Sequence, residues 1–315
     1  MRTIIFGTAE IRKAAKIIRD GGLVAFPTET VYGLGANALD ERATKKIFEA
    51  KGRPSDNPLI IHIASKRQLH KIARIPENRK EIVRVLINKF WPGPLTLILP
   101  KRKTVPKTVT GGLNTVAVRM PKNKIALELI KKAGVPIAAP SANISGKPSG
   151  TCFEHVLEDF DGKIDGIIKS RSCKIGVEST VLDLTSRVPT ILRPGGVNYE
   201  ELKRAIPKLK VAKGRGGKIK SPGMKYRHYS PNAKVILFEK NSKLENYKLG
   251  LEKKGKRVIV IYPESSLRFS RRLFKVFREC DKKKIDYILI PAIEKKGIGL
   301  AIMNRIEKAA ASVVR

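Results

Sequence analysis

The stretch FPTETVYGLG at residues 26–35, with KGR at 51–53 beyond one short helical run, decides how this chain folds. Residues 23–26 (LVAF) read as a short buried strand ended by Pro27, with the hydroxyls of Thr28 and Thr30 at its mouth. Gly33 and Gly35 are expected to let the backbone turn tightly or approach a ligand closely, because glycine tolerates positive φ. A strand running into such a turn is where open α/β sheets bind ligands. Lys51 and Arg53 follow a predicted helix over 40–50, with Gly52 between them and Pro54 behind. A flexible point charge beside a planar fork suits a polyphosphate. The same cations would suit a solvated helix end, where the dipole favours positive charge. This segment alone leaves both readings open; in either, both side chains are expected to be exposed.

A second, distant set narrows the choice. PIAAP at 136–140 is another short apolar strand, and SANISGKPSG at 141–150 presents Ser141, Asn143, Ser145 and Ser149 on a loop too glycine-rich to be core. The pairing of KxR with a later SxN, each just after a regular element, resembles the YrdC-type threonylcarbamoyl-AMP synthases. The resemblance spans nearly the whole chain: KGRPSDNPLIIHI (51–63), WPGPLTLIL (91–99), VAVRMP (116–121), ESTVLDL (178–184) and ILRPGG (191–196) carry it. SPGMKYRHYSP (221–231) is similar to the linker of the two-domain members.

That resemblance implies an α/β fold: a YrdC-like twisted, mixed, open sheet with a concave basic cleft, followed by a smaller Rossmann-like parallel domain. It implies condensation of L-threonine, bicarbonate and ATP to threonylcarbamoyl-AMP and pyrophosphate. A downstream threonylcarbamoyl transferase complex would use the product to make N6-threonylcarbamoyladenosine in tRNA. Mg²⁺ is expected to arrive on the ATP phosphates without a direct protein ligand, and no organic cofactor is expected. Position by position, Arg53, Asn57, Thr115, Ser141, Ser149, Arg193 and Tyr229 match ATP contacts, with Lys51 and Asn143 completing the KxR/SxN set. Thr30, His62, Arg119, Ser179 and the backbone of Ala139 match threonine contacts, and Tyr32 is expected to line the same cavity. Read from the residues alone, His62 among isoleucines is a core histidine, and Arg119 is a surface ion pair or a carboxylate fork; the resemblance moves both to the threonine site. No dedicated base is evident. Positioning and charge neutralisation would carry the reaction.

Composition sets the frame. With 315 residues, 42% hydrophobic and 6% aromatic, the chain can bury a sizeable core and splits into two domains. No apolar run reaches membrane-spanning length, the first twenty or so residues do not read as a signal peptide, and Cys152, Cys173 and Cys280 are far apart without C-x-x-C spacing. A disulfide framework and a zinc site are therefore not expected, and the expected compartment is the cytoplasm. Lysine and arginine number 65 against 28 acidic residues, a net charge of +37, so most lysines lack a carboxylate partner. Unpaired positive charge favours polyanions, nucleotide phosphates and tRNA or other RNA alike.

Along the chain, Thr8 is expected to cap a helix whose inner face is Ile11, Ala14, Ala15 and Ile18. Residues 59–63, 95–99, 115–119, 164–168, 181–184 and 190–192 read as strands. A helix over 76–90 is predicted to turn Ile82, Val85, Leu86 and Phe90 inward, another covers 123–133, Thr151 caps a third, and Asn198 with Glu201 forms a capping box. From Lys203 to Arg227 ten cations occur without an Asp or Glu. The expected layout is a catalytic domain over 1–207, a basic glycine-rich linker over 208–232 and a small domain over 233–315, its strands at 234–238, 257–262 and 287–291 and its last helix carrying Leu300, Met303, Ile306, Ala310 and Val313. In the linker, Tyr229 either pins the chain to a domain surface or, with Tyr226, folds over the nucleotide. Two rival functions are an RNA-binding module, favoured by charge, and a carbamoyl-transfer module of the hydrogenase-maturation kind. The first leaves Thr30, His62 and Arg119 without a purpose; the second predicts zinc-finger and acylphosphatase-like segments that these residues do not contain.

Overall fold

The computed structural model describes residues 2–212, 228–264 and 266–315. Tyr226 and most of the basic linker, expected at 208–232, lie outside the described residues. An 11-stranded sheet forms the larger part. From one edge its strands run Ile4–Phe6, Gly166–Ile168, Val24–Phe26, Gly33–Asn37, Ile137–Ala138, Ile60–His62, Thr115–Arg119, Leu95–Pro100, Thr180–Asp183, Thr190–Arg193 and Lys210–Val211. Parallel and antiparallel pairs both occur along it, so the sheet is mixed. The last strand carries this sheet past residue 207, where the linker was expected to begin.

The middle of this order explains why two distant stretches meet. Gly33–Asn37 pairs antiparallel with Ile137–Ala138, which in turn pairs with Ile60–His62. Backbone bonds continue past the strand ends: Tyr32 N donates to Gly150 O at 2.8 Å, Ala142 N to Tyr32 O at 2.7 Å and Leu34 N to Pro140 O at 3.0 Å. The serine loop is thereby fastened to the loop after Phe26. Gly33 and Gly35 have a different role from the expected turn. Both lie in a strand, and a Cβ on Gly35 would stand 2.7 Å from Phe26 Cε1 and 2.8 Å from Ile137 Cγ2. They make room for the Phe26 ring rather than for a positive φ; the turn itself is made by residues 27–32.

Strand alternation divides the sheet's faces. Ile61, Leu97 and Val118 join the main core. Ile60, Ala117, Ile98 and Val181 face the other way in a small cluster, and the candidate cleft opens over that cluster. Helices Ile11–Arg19 and Lys124–Ala133 cover the neighbouring part of that face, burying Ile11, Ala14, Ala15 and Ile18 as their spacing predicted. Thr8 is not the cap: Thr8–Glu10 forms a short 3₁₀ turn begun at Gly7. Helix Lys80–Phe90 buries Val83, Leu86 and Ile87, with Ile82 and Phe90 partly buried against the same core, whereas Val85 is exposed, because 83, 86, 87 and 90 share one helical face and 85 lies off it. Cys152, not Thr151, occupies the cap of Phe153–Phe160, whereas the Asn198–Glu201 capping box is present.

The C-terminal sheet has four parallel strands in the order Val258–Val260, Tyr287–Pro291, Lys234–Phe238 and Ala310–Val314. The expected final helix is shorter than its apolar spacing suggested. It ends at Ala309, and Ala310–Val314 pairs with Lys234–Phe238 as a fourth strand. Valine there is β-branched and favours an extended chain, a preference that the coincident helical spacing of Ala310 and Val313 masked.

Candidate active site

The cleft is lined by side chains from both halves of the sequence, and strand register sets its floor. Ile60–His62 runs parallel to Thr115–Arg119 with His62 opposite Arg119, so the two side chains are cross-strand neighbours on one face. The loop after Phe26 supplies Thr30, whose hydroxyl accepts from Arg119 Nη1 at 2.9 Å and lies 2.8 Å from the Thr28 hydroxyl. Arg119 Nη2 is 2.7 Å from Glu29 Oε2, a close ion pair whose atoms do not align as a hydrogen bond. Burial, with the nearby Arg119 charge, pushes the His62 imidazole down to about 3, so it is neutral at physiological pH. A neutral ring beside a fixed guanidinium is an arrangement for a zwitterion: the arginine takes a carboxylate and the imidazole takes a hydrogen bond.

On the other side of the cleft the serine loop and the end of helix Glu41–Lys51 meet. Gly52, in the left-handed region at φ 58°, ends that helix and turns the chain. Lys51 Nζ donates to Ser141 O at 2.7 Å and also to Asn143 O. Arg53 donates from Nη2 to Asn57 O at 3.2 Å and to Pro58 O at 3.1 Å. Both cations are therefore buried, at 1% and 8% exposure, where exposed side chains were expected. They tie loop carbonyls together as well as lining the cavity, because the helix end lies against the loops instead of in water. Burial, aided by Arg53, holds the Lys51 ammonium well below its ordinary value. The loop is closed within itself too: Ser141 Oγ donates to Asn143 Oδ1 at 2.6 Å, and Asn143 Nδ2 donates to Lys147 O at 2.9 Å.

A third wall comes from ESTVLDL and ILRPGG. Arg193 Nη2 donates to Ser179 O at 3.0 Å and to its hydroxyl at 3.2 Å, and Ser179 Oγ lies 2.8 Å from Thr96 Oγ1. Tyr229 closes this side. It is buried, at φ 65°, stacked on Phe274 of the C-terminal domain with ring centroids 5.4 Å apart. It therefore packs as a pin and lines the cavity at once. Of the residues singled out in the sequence, Thr30, Tyr32, Lys51, Arg53, His62, Arg119, Ala139, Ser141, Asn143, Ser179, Arg193 and Tyr229 line one cavity. Asn57, Thr115 and Ser149 do not reach its lining. Asn57 sits behind Arg53, Thr115 begins its strand, and Ser149 is fully buried with its hydroxyl on Glu178 Oε1 at 2.6 Å.

Sequence reading did not single out Glu29, Glu178 or His228. Glu178 and His228 line the cavity, and Glu178 opens the quoted ESTVLDL segment. Its burial works against ionisation, yet Arg305 and Arg193 hold the carboxyl below its usual range. Burial and the Arg53 charge push His228 down to about 3. The only signal for these residues was their place inside quoted motifs. Arg305, which comes from the C-terminal domain, gave none.

The same two parts appear in known proteins. A family model described as "Telomere recombination" matches residues 16–195, and one described as "Threonylcarbamoyl-AMP synthase, C-terminal domain" matches residues 197–311. A threonylcarbamoyl-AMP synthase of Pyrococcus abyssi is 53% identical over 322 residues, covering 95% of this chain and 94% of the relative. One from Bacillus subtilis is 46% identical, covering 96% and 93% respectively. A crystal structure of Pyrococcus abyssi Sua5 complexed with L-threonine superposes with a TM-score of 0.94 at 50% identity, over 99% of this chain and 100% of that one. Two consecutive domain matches and full-length relatives lead to one conclusion: the chain belongs to the threonylcarbamoyl-AMP synthase family.

Proposed function

We propose that this chain is an L-threonylcarbamoyladenylate synthase, joining L-threonine, bicarbonate and ATP. The observation that carries the reading is the juxtaposition, in one cavity, of a zwitterion subsite and a cationic subsite. Thr30, His62 and Arg119 form the first, with Ser179 and the Ala139 backbone; Lys51, Arg53 and Arg193 form the second, with Ser141 and Asn143. A module that only binds RNA phosphates has no use for a neutral histidine in register with a buried arginine. The names of the relatives and the L-threonine complex of the Pyrococcus abyssi protein support the same reading.

In the proposed reaction the threonine amine bonds to the bicarbonate carbon and water leaves, giving a carbamate. A carbamate oxygen then attacks the α-phosphorus of ATP, the bond from that phosphorus to the β-phosphate oxygen breaks, and pyrophosphate departs. Arg119 would hold the threonine carboxylate and the Thr30 region its hydroxyl, leaving the amine directed at the cationic side. Negative charge grows on the non-bridging oxygens and on the leaving pyrophosphate, and Lys51, Arg53 and Arg193 would neutralise it. At ~4 Å each cation contributes on the order of 4 kcal/mol at an effective dielectric of about 20. Magnesium belongs to the Mg–ATP substrate in this scheme. Glu178, a cavity carboxylate, is committed to Arg305 and Ser149, so phosphate oxygens and water would hold the ion.

The cavity is narrow, about 50 Å³. Ligand pockets run to several hundred. The segment at His228 and Tyr229 would withdraw to admit ATP and return over it, shielding the mixed anhydride from water. Asn57, Thr115 and Ser149 would contact the nucleotide only after such a movement or through neighbours. A cytoplasmic location, delivery of the product to a threonylcarbamoyl transferase complex, and tRNA or other RNA affinity through the basic surface complete the proposal. Among the described residues no helix is long and apolar enough to cross a membrane. The deciding experiment is release of pyrophosphate from ATP by the purified chain. Release that requires both threonine and bicarbonate is expected; release independent of either would reject the reading.

A further inference from the structure

One side chain of the C-terminal domain is built into the cavity wall. Arg305, on helix Gly299–Ala309, is fully buried. Its Nε donates to Glu178 Oε2 at 2.7 Å and its Nη1 to Pro194 O at 2.9 Å. Its guanidinium carbon lies 5.2 Å from the centre of the Tyr229 ring. Glu178, in turn, accepts the Ser149 hydroxyl on its other oxygen. A single guanidinium thus reaches, directly or through one intermediary, Tyr229, Ser149 and the backbone beside Arg193. Its Nη2 is buried without a hydrogen-bond partner among the described residues, so the group is not placed for the best satisfaction of its own donors. A buried ion pair is a weak device for stability alone, since apolar replacement often serves as well.

We propose that Arg305 is a positioning residue for the nucleotide subsite, acting from the C-terminal domain through Glu178. Glu178 is a carboxylate lining a cavity assigned to polyphosphate, where a free negative charge would repel the substrate. Arg305 neutralises it, turns it toward the Ser149 hydroxyl and supports the Tyr229 ring by a cation–π contact. Docking of the second domain therefore completes the charge balance of the first domain's site. The inference rests on the nucleotide subsite proposed above.

The test compares calorimetric binding of a non-hydrolysable ATP analogue with the KM for threonine, using the full chain throughout. Arg305→Met is expected to weaken analogue binding at least about tenfold, with the threonine KM changed less than about threefold. Adding Glu178→Gln to Arg305→Met removes the unbalanced carboxylate and should recover about threefold or more of the lost affinity. Should Arg305→Met fail to fold, Arg305→Gln makes the same comparison, with the charge lost and a hydrogen-bond donor kept. Arg53→Met, which removes a cation lining the cavity, serves as the control on the subsite itself. If folded Arg305 variants bind the analogue within about twofold of the native chain while Arg53→Met binds weakly, Arg305 has no positioning role and the nucleotide subsite stands. If analogue and threonine constants worsen together, the role is structural and the inference is overturned. If folded Arg53→Met also binds normally, the subsite reading fails and takes the inference with it.

Discussion

Replacing Lys51 by methionine separates two effects that the geometry makes inseparable by inspection. The change takes the Lys51 donor from Asn143 O and one of two donors from Ser141 O, which keeps the Asn143 backbone N–H at 3.1 Å. A buried carbonyl left unsatisfied costs about 1–3 kcal/mol. Against this stands relief from burying an ammonium that Arg53 and Arg278 also push toward the neutral form, a cost of several kcal/mol. The two effects are of similar size, so the melting temperature should shift by only a few degrees, at roughly 2–4 °C per kcal/mol. Synthesis should fall by about 10²-fold or more, the usual consequence of losing an anion-stabilising donor. Pyrophosphate release measured well below the melting point, beside a thermal melt, reads the two quantities independently. Activity within a few-fold of the native chain would remove phosphate clamping by Lys51, and a melting temperature lower by about 10 °C or more would refute the balance between lost carbonyl bonds and relieved burial.

Arg119→Ala should raise the KM for threonine far more than that for ATP, and valine, which lacks the hydroxyl, should be a poor substrate; equal turnover of valine and threonine would dismiss the pocket assignment. Tyr229→Ala should weaken ATP binding and speed hydrolysis of the intermediate, measured as its half-life after isolation, whereas an unchanged half-life would leave Tyr229 a packing residue only. Stability should depend on acid through His62: the unfolded chain takes up a proton near the ordinary imidazole value of about 6.5 and the folded chain only near 3, so stability declines as pH falls through that window by about 1.4 kcal/mol per unit. His62→Gln should reduce the slope of a denaturation profile recorded between those limits by about that amount, leaving the similar contribution of His228.

Local signals made much of this molecule readable. The apolar face of helix Ile11–Arg19, the left-handed stop at Gly52 and the alternation in Thr115–Arg119 are each dictated within a few residues. The members of the site were legible as motifs, but their environments were not. Nothing near Lys51 in sequence foretells that its ammonium is enclosed by carbonyls 90 and 92 residues away. Val83 and Ile87 face inward on the same regular helical stripe as Leu86 and Phe90; an apolar helix with Ile82, Val83, Val85, Leu86 and Ile87 in close succession offers more than one such stripe, and only the core it meets selects among them. Arg305 was invisible for the opposite reason: an arginine on an amphipathic helix reads as solvated, and its partner Glu178 is 127 residues earlier. Ala310–Val314 shows that period and propensity can disagree, and here the open sheet edge at Lys234–Phe238 decided between them.

The contact between Arg278 and Asp159 gives the two-domain arrangement a thermal character. Arg278 Nη2 lies 2.5 Å from Asp159 Oδ2, both side chains are almost wholly removed from solvent, and the same guanidinium donates to Pro148 O at 2.8 Å. Separating the domains would return both charges to water. Hydration of ions becomes less favourable as temperature rises, so the gain from wetting this pair shrinks with heating. The joint between the domains should accordingly tighten in warmth and loosen in the cold, opposite to the ordinary expectation that heat frees moving parts.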